Sequence, residues 1–294
     1  MATQREILKR IKSVKNTQKI TKTMEMVSTA KMKKMQDRIT MSKPYGEKLE
    51  TIIDHLRQTG VDDVYDPLMQ ERPDPNRILV LMITGNRGLC GGFNTRVIDN
   101  TINFKNKLTI EEGKEVLIYS MGKKGTNYFR FIKQPVYKSV LNPEDKFKFE
   151  DASKLGDELI NLFVTGEVDE VYVSYTKIMT RSTQKATITR LLPLKPESVA
   201  IQESVEDFHV EYIFEPNPYK IFSSLLPLYI KMKLYLAVLE SGFSENFARR
   251  VAMKNATDAA KEMVRDLTIT YNRARQAKIT KEISEIVGGA AALE

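Results

Sequence analysis

Residues 219–294 read YKIFSSLLPLYIKMKLYLAVLESGFSENFARRVAMKNATDAAKEMVRDLTITYNRARQAKITKEISEIVGGAAALE, and this stretch decides the fold. It contains one proline, Pro227, and no glycine between Gly242 and Gly288. Apolar or small residues recur at spacings of three and four, the period of a coiled coil. This C-terminal seam comprises Leu236, Leu239, Phe243, Met253, Ala260, Val264, Leu267, Tyr271 and Ala274, and the same register includes Asn246, Arg250 and Thr257. A helix over residues 219–287 would be about 100 Å long. It therefore needs a second helix, a sleeve of other proteins, or both.

A second long helical pattern opens the chain, over residues 3–59. Its apolar positions are Ile7, Ile11, Val14, Met24, Val27, Met35 and Ile39. Residues 16–18 (Asn-Thr-Gln) interrupt this row, so we expect part of the helix to be polar all round. Pro44 and Gly46 are expected to kink or loosen the helix, and Gly60 to end it.

Positive charge is concentrated in the N-terminal arm, which we define as residues 1–43. The chain carries 46 lysines and arginines against 38 acidic residues, a net charge of +8. The arm alone holds 12 of these cations against three acids. Such a block attracts nucleic acid, anionic lipid or an acidic protein loop. No aromatic residue lies between the lysines to stack on bases, which weighs against nucleic acid.

Cysteine and histidine are too scarce for most catalytic and metal chemistry. Cys90 is the only cysteine, and the histidines are His55 and His209. An intrachain disulfide and a cysteine-rich metal site are thereby excluded, and a reducing compartment is expected. The N-terminus lacks the apolar core of a signal peptide. The most apolar run, 221–239, is broken by a proline and two lysines and makes a poor membrane span.

From residue 77 the pattern changes to strands alternating with helices. Strands are predicted at 78–84, 116–119, near 135–137, 170–175, 183–192 and 210–214, and helices at 94–107, after Gly125 and at 151–164. The fold class is therefore α/β. A Rossmann-like domain with a largely parallel sheet is inserted between N- and C-terminal helices, which pair as a long antiparallel coiled coil.

The predicted organisation is a shaft helix (1–60), a linker (61–76), the α/β domain (77–215) and a second shaft helix (216–294). The C-terminal helix is the longer of the two, so its end is expected to overshoot its partner. The overshooting residues are Ile279, Ile283, Ile286, Val287, Ala290, Ala291, Ala292 and Leu293. An apolar tip without a partner in its own chain implies a partner elsewhere.

The glycine-rich loop at residues 85–92 follows a buried strand and precedes a helix, as a nucleotide-binding loop does. It lacks the Gly-x-Gly-x-x-Gly spacing and the Gly-Lys-Ser/Thr ending of the two common phosphate loops. A tight structural turn is the favoured interpretation, with no cofactor and no metal. Cys90 is expected to be a small buried residue, since both histidines are distant in sequence.

Four stretches resemble the gamma subunit of the F-type ATP synthase. They are LTITYNRARQAKITKEISEIVGGA (267–290), IKSVKNTQKITKTMEMV (11–27), NRGLCGGFN (86–94) and LLPLY (225–229). The resemblance covers the whole chain in the right order. It implies a non-catalytic rotor shaft inside a ring of three alpha and three beta subunits. In that family the α/β domain meets the epsilon subunit and the c-subunit ring. The complex couples proton or sodium transport to ATP synthesis or hydrolysis. The resemblance further implies a peripheral position on the cytoplasmic face of a bacterial inner membrane.

The same resemblance suggests functional residues. Those implied in rotor–stator coupling are Lys19, Met24, Arg249, Gln276, Thr280 and Glu282, and those of the central-loop motif are Arg87, Gly88, Gly91 and Gly92. The departures from the family pattern are Gly85-Asn86 in place of Ser-Asp, the basic Lys231 and Lys233, and the less usual Phe243, Asn246 and Arg250. A basic coiled-coil scaffold that binds nucleic acid or anionic lipid is the alternative from another class, and an enzyme with a nucleotide in its central domain is the third.

Overall fold

The computed structural model describes residues 3–58, 66–180, 183–194 and 217–291. The helices are α1 Gln4–Gln58, α2 Phe93–Asn106, α3 Lys123–Phe131, α4 Phe149–Val164 and α5 Pro218–Ala291, and the strands are β1 Arg77–Ile83, β2 Glu115–Met121, β3 Lys138–Val140, β4 Glu170–Ile178 and β5 Gln184–Leu192. A π-helical turn, Lys107–Glu111, extends α2, and a 3-10 turn, Glu144–Lys146, precedes α4. The chain divides into two compact units, each described by itself below. The coil unit contains residues up to 30 and from 249 onward, and the sheet unit contains residues 31–248.

The sheet unit is built on five strands in the order β3-β2-β1-β4-β5. The first four strands are parallel, and β5 pairs antiparallel with β4. The predicted α/β class with a largely parallel sheet is confirmed. The weak strand predicted near 135–137 lies slightly later, at 138–140, whereas the strand predicted at 210–214 falls outside the described residues.

Both faces of the sheet are covered, which explains the unbroken apolar run of β1. Leu79, Leu81 and Ile83 point into a core shared with α4 and the long helices. The alternate residues Ile78 and Val80 point into a second core beneath α2 and α3. A strand buried on both faces loses the polar alternation of a half-exposed strand.

Within the sheet unit the two long helices pair antiparallel, as predicted. The Tyr229 hydroxyl donates to the Glu50 carboxylate at 2.8 Å, and Gly242 faces Met35 further along. Helix α1 is continuous through Pro44 and Gly46, so the expected loosening there does not end it. At Gly46 an added Cβ would lie 3.2 Å from the Leu236 side chain, so the missing side chain permits a close approach.

In the coil unit the buried row of α1 differs from the predicted one in its middle. Val27, which the hydropathy pattern placed on the seam, is 51% exposed. Thr21 and Ser28 are buried instead, at 8% and 2% exposure. Their hydroxyls donate to carbonyl oxygens of their own helix, on Gln18 and Met24 respectively. The seam therefore continues through small hydroxyl residues, because such side chains can be buried at little cost when satisfied locally. Asn16 and Thr17 are exposed and Gln18 is half-buried, in agreement with the expected polar interruption.

The C-terminal seam is confirmed in the same unit. Met253 and Ala260 are buried, and Val264, Leu267, Tyr271 and Ala274 are half-buried. Thr257, a polar residue in the register of this seam, donates to the Thr21 hydroxyl at 2.8 Å.

Beyond Ala274 every residue whose side chain is described, through Gly288, is exposed. Ile279, Ile283, Ile286 and Val287 form an apolar tip with exposures of 47–72%. The predicted overshoot is confirmed for these residues, while the side chains of the last six residues lie outside the described part.

Helix α5 is the one described helix that is long and apolar enough to cross a membrane by composition. Its most apolar 18-residue window has a mean hydropathy of 1.4, and half of that window is buried inside the chain. Phe222, Leu226, Ile230 and Leu234 belong to the core of the sheet unit. Packing of this kind accounts for the apolar character without a membrane.

The predicted boundaries at 60, 76 and 215 remain predictions, since two of them fall among residues that the structure does not describe. Residues 66–76, assigned to a linker, make specific contacts with other parts of the sheet unit. Leu68 is buried and its carbonyl oxygen accepts the amide of Leu194 at 2.9 Å. Arg72 forms an ion pair with Asp169, the residue before β4.

Candidate functional site

The central loop, residues 85–92, leaves the carboxyl end of β1 and is held by the side chain of Asn94 in the first turn of α2. The Asn94 carboxamide accepts the first amide of the loop at 2.8 Å and donates to the Cys90 sulfur at 3.1 Å. Leu89 and Gly91 have φ values of 62° and 55°, in the left-handed region. Cys90 is buried, as predicted.

The four predicted motif residues have different surroundings in this loop. The Arg87 side chain is 75% exposed, and its Nε lies 3.8 Å from the Glu144 carboxylate. Gly91 adopts the left-handed backbone, and Gly92 immediately precedes α2. At Gly88 an added Cβ would make only an ordinary 3.6 Å contact with a lysine side chain.

An acidic turn, residues 142–147, lies against this loop. Its Asn142 side chain donates to the Thr84 carbonyl oxygen at 3.0 Å and accepts the amide of Glu144 at 2.9 Å. The Asn86 carboxamide donates to the Asn142 carbonyl oxygen at 2.7 Å and to the Glu144 carboxylate at 3.3 Å. Glu144 has a φ of 56°, which is unfavourable for a residue with a side chain. The surrounding hydrogen bonds hold it there.

Three cations of α1, which we call the basic stripe, bind the acidic turn from the other side. Lys31 lies 3.3 Å from the Glu144 carboxylate and 3.1 Å from that of Asp145. Lys34 lies 3.5 Å from Asp145. Arg38 donates to the Asp145 carbonyl oxygen at 3.2 Å and to the last carbonyl of the turn. Part of the charge of the N-terminal arm is therefore neutralised within the chain.

The stripe also reaches α5 and affects the turn's ionisation. Arg38 donates to the Tyr235 hydroxyl at 2.9 Å, with its guanidinium 5.6 Å from the ring centre. Burial alone would raise the pKa of Asp145, but the hydrogen bond and charge of Lys31 and the charge of Lys34 lower it overall. Asp145 is thus held in its charged form.

Helix α5 covers the carboxyl edge of the sheet. The strand order reverses between β1 and β4, and in open α/β sheets this is where ligands commonly bind. Here the Ser244 hydroxyl donates to the Thr176 carbonyl oxygen of β4 at 3.4 Å, and the Ile178 amide donates to Glu240 at 3.3 Å. The Glu245 carboxylate lies 2.8–3.1 Å from where a Cβ on Gly85 would stand. The glycine that departs from the family pattern is the residue that leaves room for this carboxylate.

Glu240 is unusual in this contact because it is a largely buried acid. Burial raises its pKa, and the opposing effects of the Ile178 amide and of the Lys177 and Lys43 charges do not cancel that rise.

The basic departures on α5 have partners inside the sheet unit. Lys231 forms a 2.6 Å ion pair with Asp157 of α4, and Lys233 lies 4.6 Å from the centre of the Tyr229 ring. Phe243 belongs to the core, and the Asn246 carboxamide donates to a carbonyl of its own helix at 2.8 Å.

All six predicted coupling residues lie in the coil unit. Lys19 is exposed and lines an open groove with Lys22 and Lys261. Met24 and Arg249 are half-buried. The remaining three, Gln276, Thr280 and Glu282, are exposed near the apolar tip.

Among the described residues no group of three histidine, cysteine or acidic side chains is placed to hold a metal ion.

Comparison with known proteins identifies the family. A family model described as ATP synthase matches residues 3–293. The ATP synthase gamma chain of Halothermothrix orenii is 44% identical over 295 positions, which cover 100% of both chains. The chain belongs to the ATP synthase gamma chain family. A second gamma chain, from Leptospira biflexa, is 42% identical with the same full coverage.

Two solved structures share the architecture of this chain. The rotor of the Euglena gracilis mitochondrial ATP synthase has a TM-score of 0.64 at 20% identity, covering 94% of this chain and 98% of that one. The central stalk of the Tetrahymena thermophila enzyme has a TM-score of 0.60 at 21% identity, covering 81% and 99%. These likenesses confirm the fold class of a gamma chain.

Sequence reasoning missed the contact between the basic stripe and the acidic turn. The signal available was the spacing of Lys31, Lys34 and Arg38, which places all three on one side of a helix. Their acidic partners are more than 100 residues away in the chain. Nothing in either segment alone indicates that the two meet.

Proposed function

We propose that this chain is the central rotor shaft of an F-type ATP synthase. It couples ion-driven rotation of a c-subunit ring to ATP synthesis or hydrolysis at the beta subunits. The observation that carries this proposal is the full-length match to chains named ATP synthase gamma chain. The Euglena relative of similar fold is described as part of a rotor, which supports the same role.

The exposed surface of the coil unit suits that role. The four apolar side chains of the tip, Ile279, Ile283, Ile286 and Val287, form no hydrogen bonds, so contacts made through them can slide inside a sleeve without breaking directional bonds. The lysines near the groove favour acidic partner surfaces. The partners are three alpha subunits, three beta subunits, the epsilon subunit and the c-ring. The chain itself is non-catalytic and works peripherally at the cytoplasmic face of a bacterial inner membrane. The six predicted residues contribute to coupling.

Reconstitution of alpha and beta subunits with and without this chain tests the proposal. We expect assembly and ATP hydrolysis to depend on the chain, and ion pumping in vesicles to require it. Unchanged assembly and hydrolysis in its absence would show that the proposed function is wrong.

A charge placed at Met24 tests the coupling surface. Met24 lies beside an already basic face, so we expect Met24→Lys to impair coupling while assembly stays intact. The measurement is ion pumping per ATP hydrolysed. Met26→Lys makes the same change on the same helix at a side chain that is 55% exposed, and serves as the control. A parent-like pumping ratio in Met24→Lys would contradict the expectation.

The alternative scaffold function is less favoured. Three cations of the N-terminal arm are paired with the acidic turn, which reduces the charge left for a polyanion. Binding to DNA or to anionic vesicles would weaken steeply with salt. Tight binding at physiological ionic strength would favour the scaffold.

A further inference from the structure

We propose that the basic stripe, the acidic turn and the central loop form a joint that carries torque between the α/β sheet and helix α1. The inference rests on the proposed function and names the residues through which the sheet unit holds its helix. All of these residues belong to the sheet unit.

The basic stripe lies directly beside the apolar residues with which α1 packs. Lys34 and Arg38 directly precede the seam residues Met35 and Ile39, and Lys31 precedes Met32, which packs against the same core. Apolar packing along a seam resists separation of the helices but is non-directional. Ion pairs and hydrogen bonds beside the seam fix an angle, because turning α1 about its axis would pull these side chains away from the turn.

Single residues of the basic stripe each contact several partners. Lys31 pairs with two carboxylates at once. Arg38 binds two carbonyl oxygens of the turn and the Tyr235 hydroxyl, so one planar guanidinium connects α1, the turn and α5. Its fixed fork of donors makes arginine suited to such a position, whereas lysine would keep only a point charge.

The backbone of the acidic turn is held in an unfavourable conformation. Glu144 holds a left-handed φ of 56° and is fixed from the opposite side by Asn86 and Arg87. A residue kept in an unfavourable conformation by several independent contacts indicates a constraint beyond simple packing. The same contacts connect the joint to the end of β1, at the centre of the sheet.

A rotation assay measures the joint directly. A bead is attached through Phe131→Cys, a position 82% exposed on α3, in a Cys90→Ser background of the complex with alpha and beta subunits. ATP drives rotation while the bead reports the angle of the sheet unit. The variants are Lys31→Glu, Asp145→Lys and the double exchange of both, which restores opposite charges.

We expect each single exchange to broaden the angular distribution of the bead and lower its torque, with ATP hydrolysis unchanged. The double exchange should recover both quantities in part, because it restores the pair between positions 31 and 145 but leaves an acid beside Glu144 and a lysine beside Lys34. Lys33→Gln removes a charge from an exposed neighbour on the same helix and should behave like the parent. If the single exchanges prevent assembly, the neutral Lys31→Gln, which removes the same pair without repulsion, decides the matter.

Three outcomes are distinguishable. Parent-like rotation in the single exchanges overturns the joint. Broadened rotation that the double exchange does not recover, accompanied by a lower unfolding temperature, shows a merely structural role and also overturns it. A parent chain that assembles but never rotates on ATP addition contradicts the proposed function itself.

Discussion

Substitution of Asp169 by asparagine tests how the segment before β1 is attached to the sheet. The Asp169 carboxylate accepts the Arg72 guanidinium on one oxygen at 2.5 Å. Its other oxygen accepts the backbone amides of Asn76 and Arg77 at 2.9 and 2.8 Å. Every neighbour is a donor, so the site suits a carboxylate and cannot satisfy a carboxamide.

The expected loss follows from these contacts. In Asp169→Asn the oxygen can keep the two backbone amides, but the new NH₂ group then faces Arg72, a donor. One charge-assisted hydrogen bond is lost, worth about 1.5–3 kcal/mol. The Arg72 side chain is 31% exposed, so water replaces part of the bond and the lower half of that range applies. A loss near 2 kcal/mol corresponds to a fall of about 4–8 °C in Tm.

The loss should depend on pH. Burial raises the pKa of Asp169, but the Arg77 amide, Arg72 and the Asn76 amide outweigh it and lower the pKa overall. A lowered pKa stabilises the folded state above the unfolded value of about 3.9, and this contribution disappears as pH falls through the folded pKa. Parent and variant should therefore differ at pH 7 and converge in strong acid.

The assay is urea unfolding of the full-length chain, followed by circular dichroism at neutral and strongly acidic pH. Asp157→Asn is the matched control, since Asp157 is 60% exposed in its pair with Lys231. It should cost at most about 1 kcal/mol. An equal loss for Asp169→Asn at both pH values, or none at neutral pH, would refute the reasoning.

Three further predictions concern the glycines, the seam and the tip. Gly122→Ala should lower the free energy of unfolding in urea by about 3 kcal/mol or more, because Gly122 has φ +113° and an added Cβ would lie 2.2 Å from a backbone carbonyl oxygen. Gly113→Ala, at φ +69° in open space, should cost only about 1 kcal/mol, and similar losses for the two variants would contradict this reasoning. Thr21→Val and Thr257→Val should each lower the thermal stability of the helices by about 1 kcal/mol, and the double variant should lose less than the sum, since both single changes remove the same hydrogen bond between the two hydroxyls. Additive losses by circular dichroism would argue against a coupled pair. Deletion of residues 288–294 should leave co-purification with alpha and beta subunits intact, because Gly288 has no neighbour within 4 Å that an added Cβ would meet; loss of the complex would show that the last residues are needed for assembly.

Periodicity made most of the fold predictable. The C-terminal seam, including the polar Thr257, follows from a spacing that only a helix satisfies. The buried run of β1 and the alternation of strands and helices likewise required no tertiary information. The apolar tip was predictable because two helices of unequal length cannot cover each other completely.

The wrong predictions for the seam of α1 arose where the hydropathy of a residue disagrees with its burial. Val27 is apolar yet exposed, and Ser28 is polar yet buried. A small hydroxyl can satisfy itself on its own helix, so heptad position determines burial there and hydropathy does not.

The joint was unpredictable for a different reason, since its charges come from distant segments. Lys31 and Asp145 form an ion pair only when the fold brings their two segments together. The six coupling residues stay predictions, because their partners would be other subunits.

The covering of the carboxyl edge by α5 has a consequence for any small molecule. The backbone groups of Thr176 and Ile178, which a ligand could bind at this edge, are hydrogen-bonded to Ser244 and Glu240. Glu245 lies against Gly85. An occupant on the same polypeptide has an effective concentration that dilution cannot lower. A competing ligand would have to displace a helix whose neighbouring residues also form the core. The sheet edge that binds ligands in many α/β proteins instead binds helix α5 of the same chain.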